Sequence, residues 1–286
     1  MRNAFKRQTF ALMVKMNMNN SPQQENKRLK FVYKSAYDFL LNKVGEKILK
    51  KPLDHFSSCK PQSLQDVFKR MVASLKNRQG YVNFIADIEE MNDILFGFQA
   101  DKVLIEYSDW QTLCVKFKNK FGSRYSIDPA KPRNSWTIFS RGVRDCAKFL
   151  SNFKTLQDFH KFVSAFLAQK NEFLIAALPM LLDKEIFGFG FALACDFLKE
   201  IGYTEFAKPD VHIKDIYTEL GLVEKNSSDY EVFKKVIKTA VAAKEEPVIV
   251  DKIFWLIGSG NFSDSNLTIG RQKTAFISKM KKEMLF

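Results

Sequence analysis

Cysteine and histidine are few and scattered in this chain. The four cysteines, Cys59, Cys114, Cys146 and Cys195, form no C-x-x-C pair, and the three histidines, His55, His160 and His212, do not cluster at ligand spacing. A zinc knuckle or a local four-cysteine iron–sulfur loop therefore cannot be built, and the isolated thiols suit a reducing compartment. Long apolar runs are also missing. The best candidates, Phe173 to Leu182 and Phe187 to Leu198, are separated by Asp-Lys-Glu and fall short of the ~18 residues a membrane span requires, so a soluble chain without a membrane partner is expected. Alternating, strand-like runs are scarce, which argues against a β-sheet protein. Acidic residues are absent before Glu25, where Arg2, Lys6, Arg7 and Lys15 mix with apolar residues. That pattern fits a mitochondrial presequence or, more simply, a basic tail or phosphate-binding arm followed by a linker, Asn-Met-Asn-Asn-Ser-Pro-Gln-Gln.

What is abundant is apolar bulk and positive charge. Apolar residues make up 46% and aromatics 14%, with 28 Phe, too hydrophobic for a mostly disordered chain. At 286 residues the chain can bury a substantial core, as one large domain or two small ones. Forty-five Lys and Arg against 32 acids leave +13, a balance that favours polyanionic partners through counterion release, although it also suits a ribosome or a membrane surface.

Apolar residues recur at helical spacing almost throughout: Leu29, Tyr33, Tyr37, Leu40, Leu41 and Val44, then Val67, Met71 and Leu75, then Ile85, Ile88, Met91, Ile94 and Leu95. A mostly α fold follows. Lys102 to Tyr107 reads as a strand or as the close of a helix. Breaks are expected at Lys51-Pro52, from Ser57 to Gln62, from Asn77 to Gly80, and across Gly122 to Asn134. The last divides a helical region, 29–130, from a second unit, 131–286, with residues 1–28 as a flexible basic tail. In the second unit Asn134 or Ser135 caps a helix through Trp136, Phe139, Val143 and Ala147, and Thr155 caps the next. Further helices are expected over Asn171 to Asp183, Val211 to Leu220, Asp229 to Lys244, Val250 to Ile257 and Ile269 to Met284.

One stretch carries chemistry. Ile186-Phe-Gly-Phe-Gly-Phe-Ala-Leu-Ala-Cys-Asp-Phe-Leu-Lys-Glu-Ile-Gly202 leads into Phe206-Ala-Lys-Pro-Asp-Val-His212, with Asp210 eighteen positions after Ala192. Gly188 and Gly190 allow a sharp turn, and the helix that follows presents free N–H groups at its positive end, a suitable seat for a phosphate. Gly-Phe-Gly could equally serve only to pack two helices. It is not a nucleotide-binding loop, since the third glycine is absent and the preceding segment is helical.

These residues resemble the helix-hairpin-helix DNA glycosylases, and the resemblance spans roughly residues 170 to 222, extending toward 135 and 262. It implies a two-lobed helical bundle in which the hairpin, Gly188, Phe189, Gly190 and Ala192, grips DNA, with Phe189 tucked between its helices. It also implies that the carbonyls of Ile186 and Phe189 bind K+ or Na+, and that no other cofactor is required. Asp210 would stabilise the oxocarbenium-like sugar and orient water, while also being a good N-cap for the helix it begins. His212 would support the aspartate structurally. Lys208, Arg141 and Arg144 are phosphate contacts or solvated charge.

The amine that bifunctional members use as a nucleophile falls on Ala192, and Lys199 lies further along the helix on a different face. A monofunctional enzyme that leaves an abasic site is therefore expected, acting as a monomer on double-stranded DNA with a damaged or modified base, and cytoplasmic at the nucleoid in a prokaryote. The base is flipped and stacked. Trp110, Trp136, Trp255, Tyr203 and many Phe are available, and an electron-rich pocket would suit cationic alkylated purines. Val250 to Gly258 is similar to a late helix of the oxidised-guanine enzymes, and Ser140 to Asp145 superficially to the helix that carries a minor-groove wedge, where Gly142 would take the wedge position. Two other readings stay open: a catalytically inactive nucleic-acid-binding protein that keeps the hairpin, and a helical interaction scaffold with weak DNA affinity.

Overall fold

A computed structural model describes residues 21–57, 60–78, 81 and 83–284. The basic segment up to residue 20, Cys59, and the end of the break at residues 79–80 lie outside them. The described residues form thirteen α-helices and one two-stranded antiparallel ribbon, in which Asn261 pairs with Thr268 and Phe262 with Leu267. No described helix is long and apolar enough to cross a membrane.

In chain order the helices are α1 (Pro22–Val44), α2 (Glu46–Asp54), α3 (Leu64–Lys76), α4 (Ala100–Glu106), α5 (Trp110–Phe121), α6 (Ser135–Leu150), α7 (Leu156–Leu167), α8 (Glu172–Glu185), α9 (Gly190–Glu200), α10 (Val211–Glu219), α11 (Asp229–Ala243), α12 (Pro247–Ser259) and α13 (Lys273–Glu283). Local sequence sets most of the starts. Asn134, Thr155 and Asn171 accept backbone N–H groups of the first turns of α6, α7 and α8, and Thr155 and Asp158 form a reciprocal capping box.

Several boundaries differ from the sequence reading; α12, for one, starts at Pro247, three residues before Val250. α1 starts seven residues before Leu29, because Ser21 and Gln24 form a capping box and Pro22 occupies the first turn, so the apparent linker is a helix start. α2 runs through Pro52 instead of breaking there; the proline is buried near the end of the helix. The last helix begins at Lys273 and not at Ile269, since Leu267 and Thr268 are taken by the ribbon. The segment holding Ile85, Ile88, Met91, Ile94 and Leu95 is buried but not α-helical. It is a run of turns around a single 3-10 turn, Glu89–Met91, with positive φ at Phe96, Gly97 and Phe98. Periodic burial alone does not distinguish a helix from a segment wound tightly over a core.

Two hydrophobic cores organise these elements. The first joins α3, the turn segment, and α4 to α9, with Phe206, Phe233 and Ile237; the second joins α1 and α2 to α10, α12 and α13, with Val232, Val236 and Ala240. Packing thus does not follow a division at residue 130. α1 lies against α11 and α12; Tyr33 Oη donates to Glu245, in the link between them, at 3.2 Å, and Arg28 donates to the Leu220 carbonyl at the end of α10 at 2.6 Å. α11 faces both cores, Phe233 and Ile237 toward one and Val232 and Val236 toward the other. The connection from α9 to α10 crosses between the cores, and Asp210 stands at its end.

Candidate functional site

The hairpin is seated on α6 by a stripe of residues spaced i, i+3, i+4, i+7. Asp145 Oδ2 accepts the Phe187 N–H at 3.1 Å, and the Arg141 guanidinium lies over the Phe187 ring at 3.6 Å. Gly142 makes the approach possible: a Cβ there would lie 2.7 Å from the Phe187 carbonyl oxygen and 2.8 Å from a Leu75 methyl. Ile138 reaches Gly188 from the same face, and Arg78 from the end of α3. Ser140 to Asp145, similar in sequence to a wedge helix, instead docks the hairpin, and Gly142 is buried there. Burial raises the Asp145 carboxyl pKa despite the Phe187 N–H.

Gly188 and Gly190 have φ of +81° and +64°, the left-handed region open to glycine. Phe189 is fully buried between the helices and packs on Phe197, with ring centroids 5.8 Å apart. The Phe189 N–H closes the turn onto the Ile186 carbonyl at 3.1 Å. Among the described residues no side-chain hydrogen bond caps α9 at Phe189. Space above Gly190 is open, with nothing within 4 Å of where a Cβ would stand. The hairpin therefore presents a bare positive helix end, with Arg141, unpaired among the described residues, beside it.

Asp210 caps α10. Its Oδ1 accepts the N–H groups of His212 at 2.8 Å and Ile213 at 3.1 Å, while no hydrogen bond among the described residues involves Oδ2. The residue is only partly exposed, and its pKa is raised by burial and by the neighbouring charge of Asp251, against the pull of the Ile213 N–H, His212 and Lys199. His212 donates its own backbone N–H to Asp210, but its side chain makes no hydrogen bond to backbone near the aspartate: Nδ1 is buried without a partner among the described residues, and the ring packs on Gly258, where a Cβ would come within 2.4 Å.

Several expected phosphate contacts are engaged within the fold. Arg144 donates to the carbonyls of Tyr107 at 3.2 Å and Ser108 at 2.5 Å, closing the end of α4. Lys208 donates its N–H to Asp251 Oδ2 at 2.9 Å and places Nζ 3.4 Å from Asp196. Lys199, set aside on the sequence as lying on another face, is central here: its Nζ is 2.7 Å from Asp251 Oδ2 and 3.6 Å from Asp196 Oδ1. Asp251 was not singled out. Its signal was a lone carboxylate, beside Lys252, in the otherwise apolar run Val248 to Ile257.

The aromatic residues separate into core and rim. Trp136 is buried among Phe117, Phe121, Tyr125 and Phe139. Tyr203 Oη lies 2.6 Å from His160 Nδ1, and Trp255, partly exposed, receives Lys252 Nζ at 4.7 Å. Trp110 lies beneath Arg141, 5.7 Å from it. Two grooves of about 610 and 660 Å³ are lined by other residues, one around Tyr37, Thr204 and Glu246 and one around Lys214, Thr218 and Lys273; Asp210 lines neither. Cys114, Cys146 and Cys195 are free and buried, and no described cluster of His, Cys, Asp or Glu could hold a metal ion.

No protein-family model matches the chain, and no curated protein or solved structure shows significant similarity to it.

Proposed function

We propose that the chain is a monofunctional DNA N-glycosylase of the helix-hairpin-helix type, with the hairpin as its phosphate seat and Asp210 as its catalytic carboxylate. The observation that carries this reading is Asp210 itself. It lies at the seam of two cores, held through one oxygen by the first N–H groups of α10 while the other oxygen has no hydrogen bond among the described residues, and α9 links that seam to a hairpin with no side-chain cap among them. A carboxylate so placed would stabilise positive charge developing on a deoxyribose. The C1′–N bond breaks with its electron pair on the departing base. Water adds its oxygen to C1′ and its proton is passed to the base, leaving an abasic site.

Ala192 carries no amine, so a Schiff-base step has no nucleophile at that position. Hairpin carbonyls of Ile186 and Phe189 would hold a K+ or Na+ ion that neutralises phosphate charge; the Ile186 oxygen accepts one N–H in the turn and keeps a lone pair for it. Arg141 is the side chain best placed to add a phosphate contact.

The test is incubation of the full chain with oligonucleotides bearing alkylated, oxidised, deaminated or mismatched bases, followed by hot alkali. Strand breaks that depend on alkali, and that vanish in Asp210→Asn with DNA affinity retained, are expected. Unchanged base release in that variant sinks the assignment. A catalytically inactive DNA-binding protein is the second reading, favoured by Ala192, which carries no amine. Salt-dependent DNA binding without base release from any substrate would select it.

A further inference from the structure

Charge is concentrated at the seam between the cores, where apolar packing would have sufficed. α9 contributes Asp196 and Lys199, α12 contributes Asp251, and the crossing segment contributes Lys208; Asp196, Lys199 and Asp251 are only 5%, 7% and 1% exposed. Asp251 Oδ2 accepts both the Lys199 ammonium, at 2.7 Å, and the Lys208 N–H, at 2.9 Å. Asp196 is bracketed by Lys199 at 3.6 Å, Lys208 at 3.4 Å and the Asn77 amide at 3.4 Å. Buried ion pairs of this kind are weak sources of stability compared with apolar side chains of equal volume, so stability alone does not account for them.

Position supplies the role. Lys208 is separated from Asp210 only by Pro209, whose ring restrains the backbone, so the Asp251 carboxylate fastens the strip of chain that delivers Asp210 to the seam. Counting charges, Asp196 and Asp251 are balanced by Lys199 and Lys208, and Asp210 is the third carboxylate in the group. Asp251 Oδ1, buried and without a hydrogen-bond partner among the described residues, adds a further acceptor to the same cluster.

We propose that Asp251 and Lys199 are a positioning pair for Asp210, Asp251 clamping the Lys208 backbone while the Lys199 ammonium, bonded to Asp251 and beside Asp196, offsets the negative charge gathered there. The pair sets both where the Asp210 carboxyl sits and at which pH it ionises. The anion of Asp251 disfavours ionisation of Asp210 and the cation of Lys199 favours it, alongside burial, the cap N–H of Ile213, and His212. Glu200 acts on Lys199 and is itself held near Arg70 and His55, at 3.5 and 3.7 Å, and the ammonium of Lys252 is close enough to be repelled by Lys199. The catalytic consequence rests on the glycosylase reading; the coupling of the three residues does not.

Two measurements on the full chain separate these. Carboxyl resonances of aspartate labelled with carbon-13 are titrated in the wild type, Asp251→Asn and Lys199→Met, with the Asp210 signal assigned by its loss in Asp210→Asn. The Asp210 midpoint is expected to fall in Asp251→Asn, which removes a neighbouring anion, and to rise in Lys199→Met, which removes a cation. In single-turnover base release the acid limb of the pH profile should move with it in each variant, with DNA affinity unchanged. A residue with a merely structural role would lower the rate without displacing the limb.

Should a single variant fail to fold, Lys199→Gln/Asp251→Asn replaces the ion pair by a neutral hydrogen-bonded pair. Its Asp210 midpoint is expected below the wild type, since Asp251 acts on Asp210 more strongly than Lys199 does. An Asp210 midpoint that stays put, or that moves in the same direction in both single variants, overturns the proposal. Opposite displacements without base release from any substrate support the pair and overturn the glycosylase reading alone.

Discussion

Replacing Asp210 by Asn keeps the helix cap and removes the charge, so the structural and chemical roles of this side chain part in one experiment. Oδ1 holds the N–H groups of His212 and Ile213, and an Asn oxygen accepts the same bonds with nearly the same cap strength. What Asn loses is the attraction of an anion to the helix start, about 0.3 to 1 kcal/mol. What it gains is relief from burial of that anion and from repulsion by Asp251. The raised pKa of Asp210 is the balance of these effects, and its sign says that the fold disfavours the ionised form.

The pH dependence follows by linkage. Below an unfolded-state carboxyl pKa of about 3.9 the group is protonated in both states and imposes no penalty. As pH rises the unfolded chain ionises first, and stability is lost until the folded carboxyl has ionised as well; above that point the penalty is complete. Asp210→Asn is therefore expected to be more thermostable than the wild type near neutral pH, with the advantage shrinking toward pH ~4. Asp210→Ala relieves the same charge but leaves two N–H groups without their acceptor. It should fall below Asp210→Asn by about 1 kcal/mol, a difference of roughly 2–4 °C in a domain of this size. Calorimetric melts of the three proteins at both pH values decide the matter. An Asn variant less stable than the wild type at neutral pH, or one whose advantage does not change with pH, refutes the reasoning. A gain in stability together with lost base release would place Asp210 among sites where stability and activity conflict.

Gly142→Ala should destabilise the protein even though alanine normally gains up to about 1 kcal/mol over glycine inside a helix. The new methyl would press on the Phe187 carbonyl at 2.7 Å and on Leu75 at 2.8 Å, and overpacking of this kind costs about 1–3 kcal/mol; a denaturation midpoint equal to or above that of the wild type would contradict the docking role of that helix face. Arg141→Ala should weaken DNA binding and lower the slope of log affinity against log salt by about 0.9, the value for one lost phosphate contact. Titrations across several salt concentrations give that slope, and an unaltered value would leave Arg141 as a clamp on Phe187 only.

Much of this molecule is written in short stretches of chain. Thr155 and Asp210 are cap residues on sequence grounds and caps in the structure, as is Asn134, one of two candidates there with Ser135, because a cap is a contact between a side chain and backbone two or three residues away. The hairpin glycines likewise follow from local backbone freedom. Where the reading failed, the competing effect was also physical. Ile85 to Leu95 has helical periodicity, yet residues with positive φ at 96–98 turn the chain back over the first core. Ile269 is helix-compatible, but pairing of Leu267 and Thr268 with Asn261 and Phe262 holds the approach to α13 extended.

The seam was beyond local inspection. Lys199 and Asp251 are 52 residues apart, and nothing near either shows that they meet at 2.7 Å. Asp145 and Phe187 are separated by 42 residues, and their bond explains why Gly142 sits in α6. Composition and periodicity are enough to require a helical chain, to start most of its helices, and to place Asp210 at the head of α10, since propensity, capping and burial patterns act over a few residues. Which helices share a core, which lysine lies beside which carboxylate, and hence how readily Asp210 ionises depend on distances and burial created when remote segments pack, and these exist only in the folded chain.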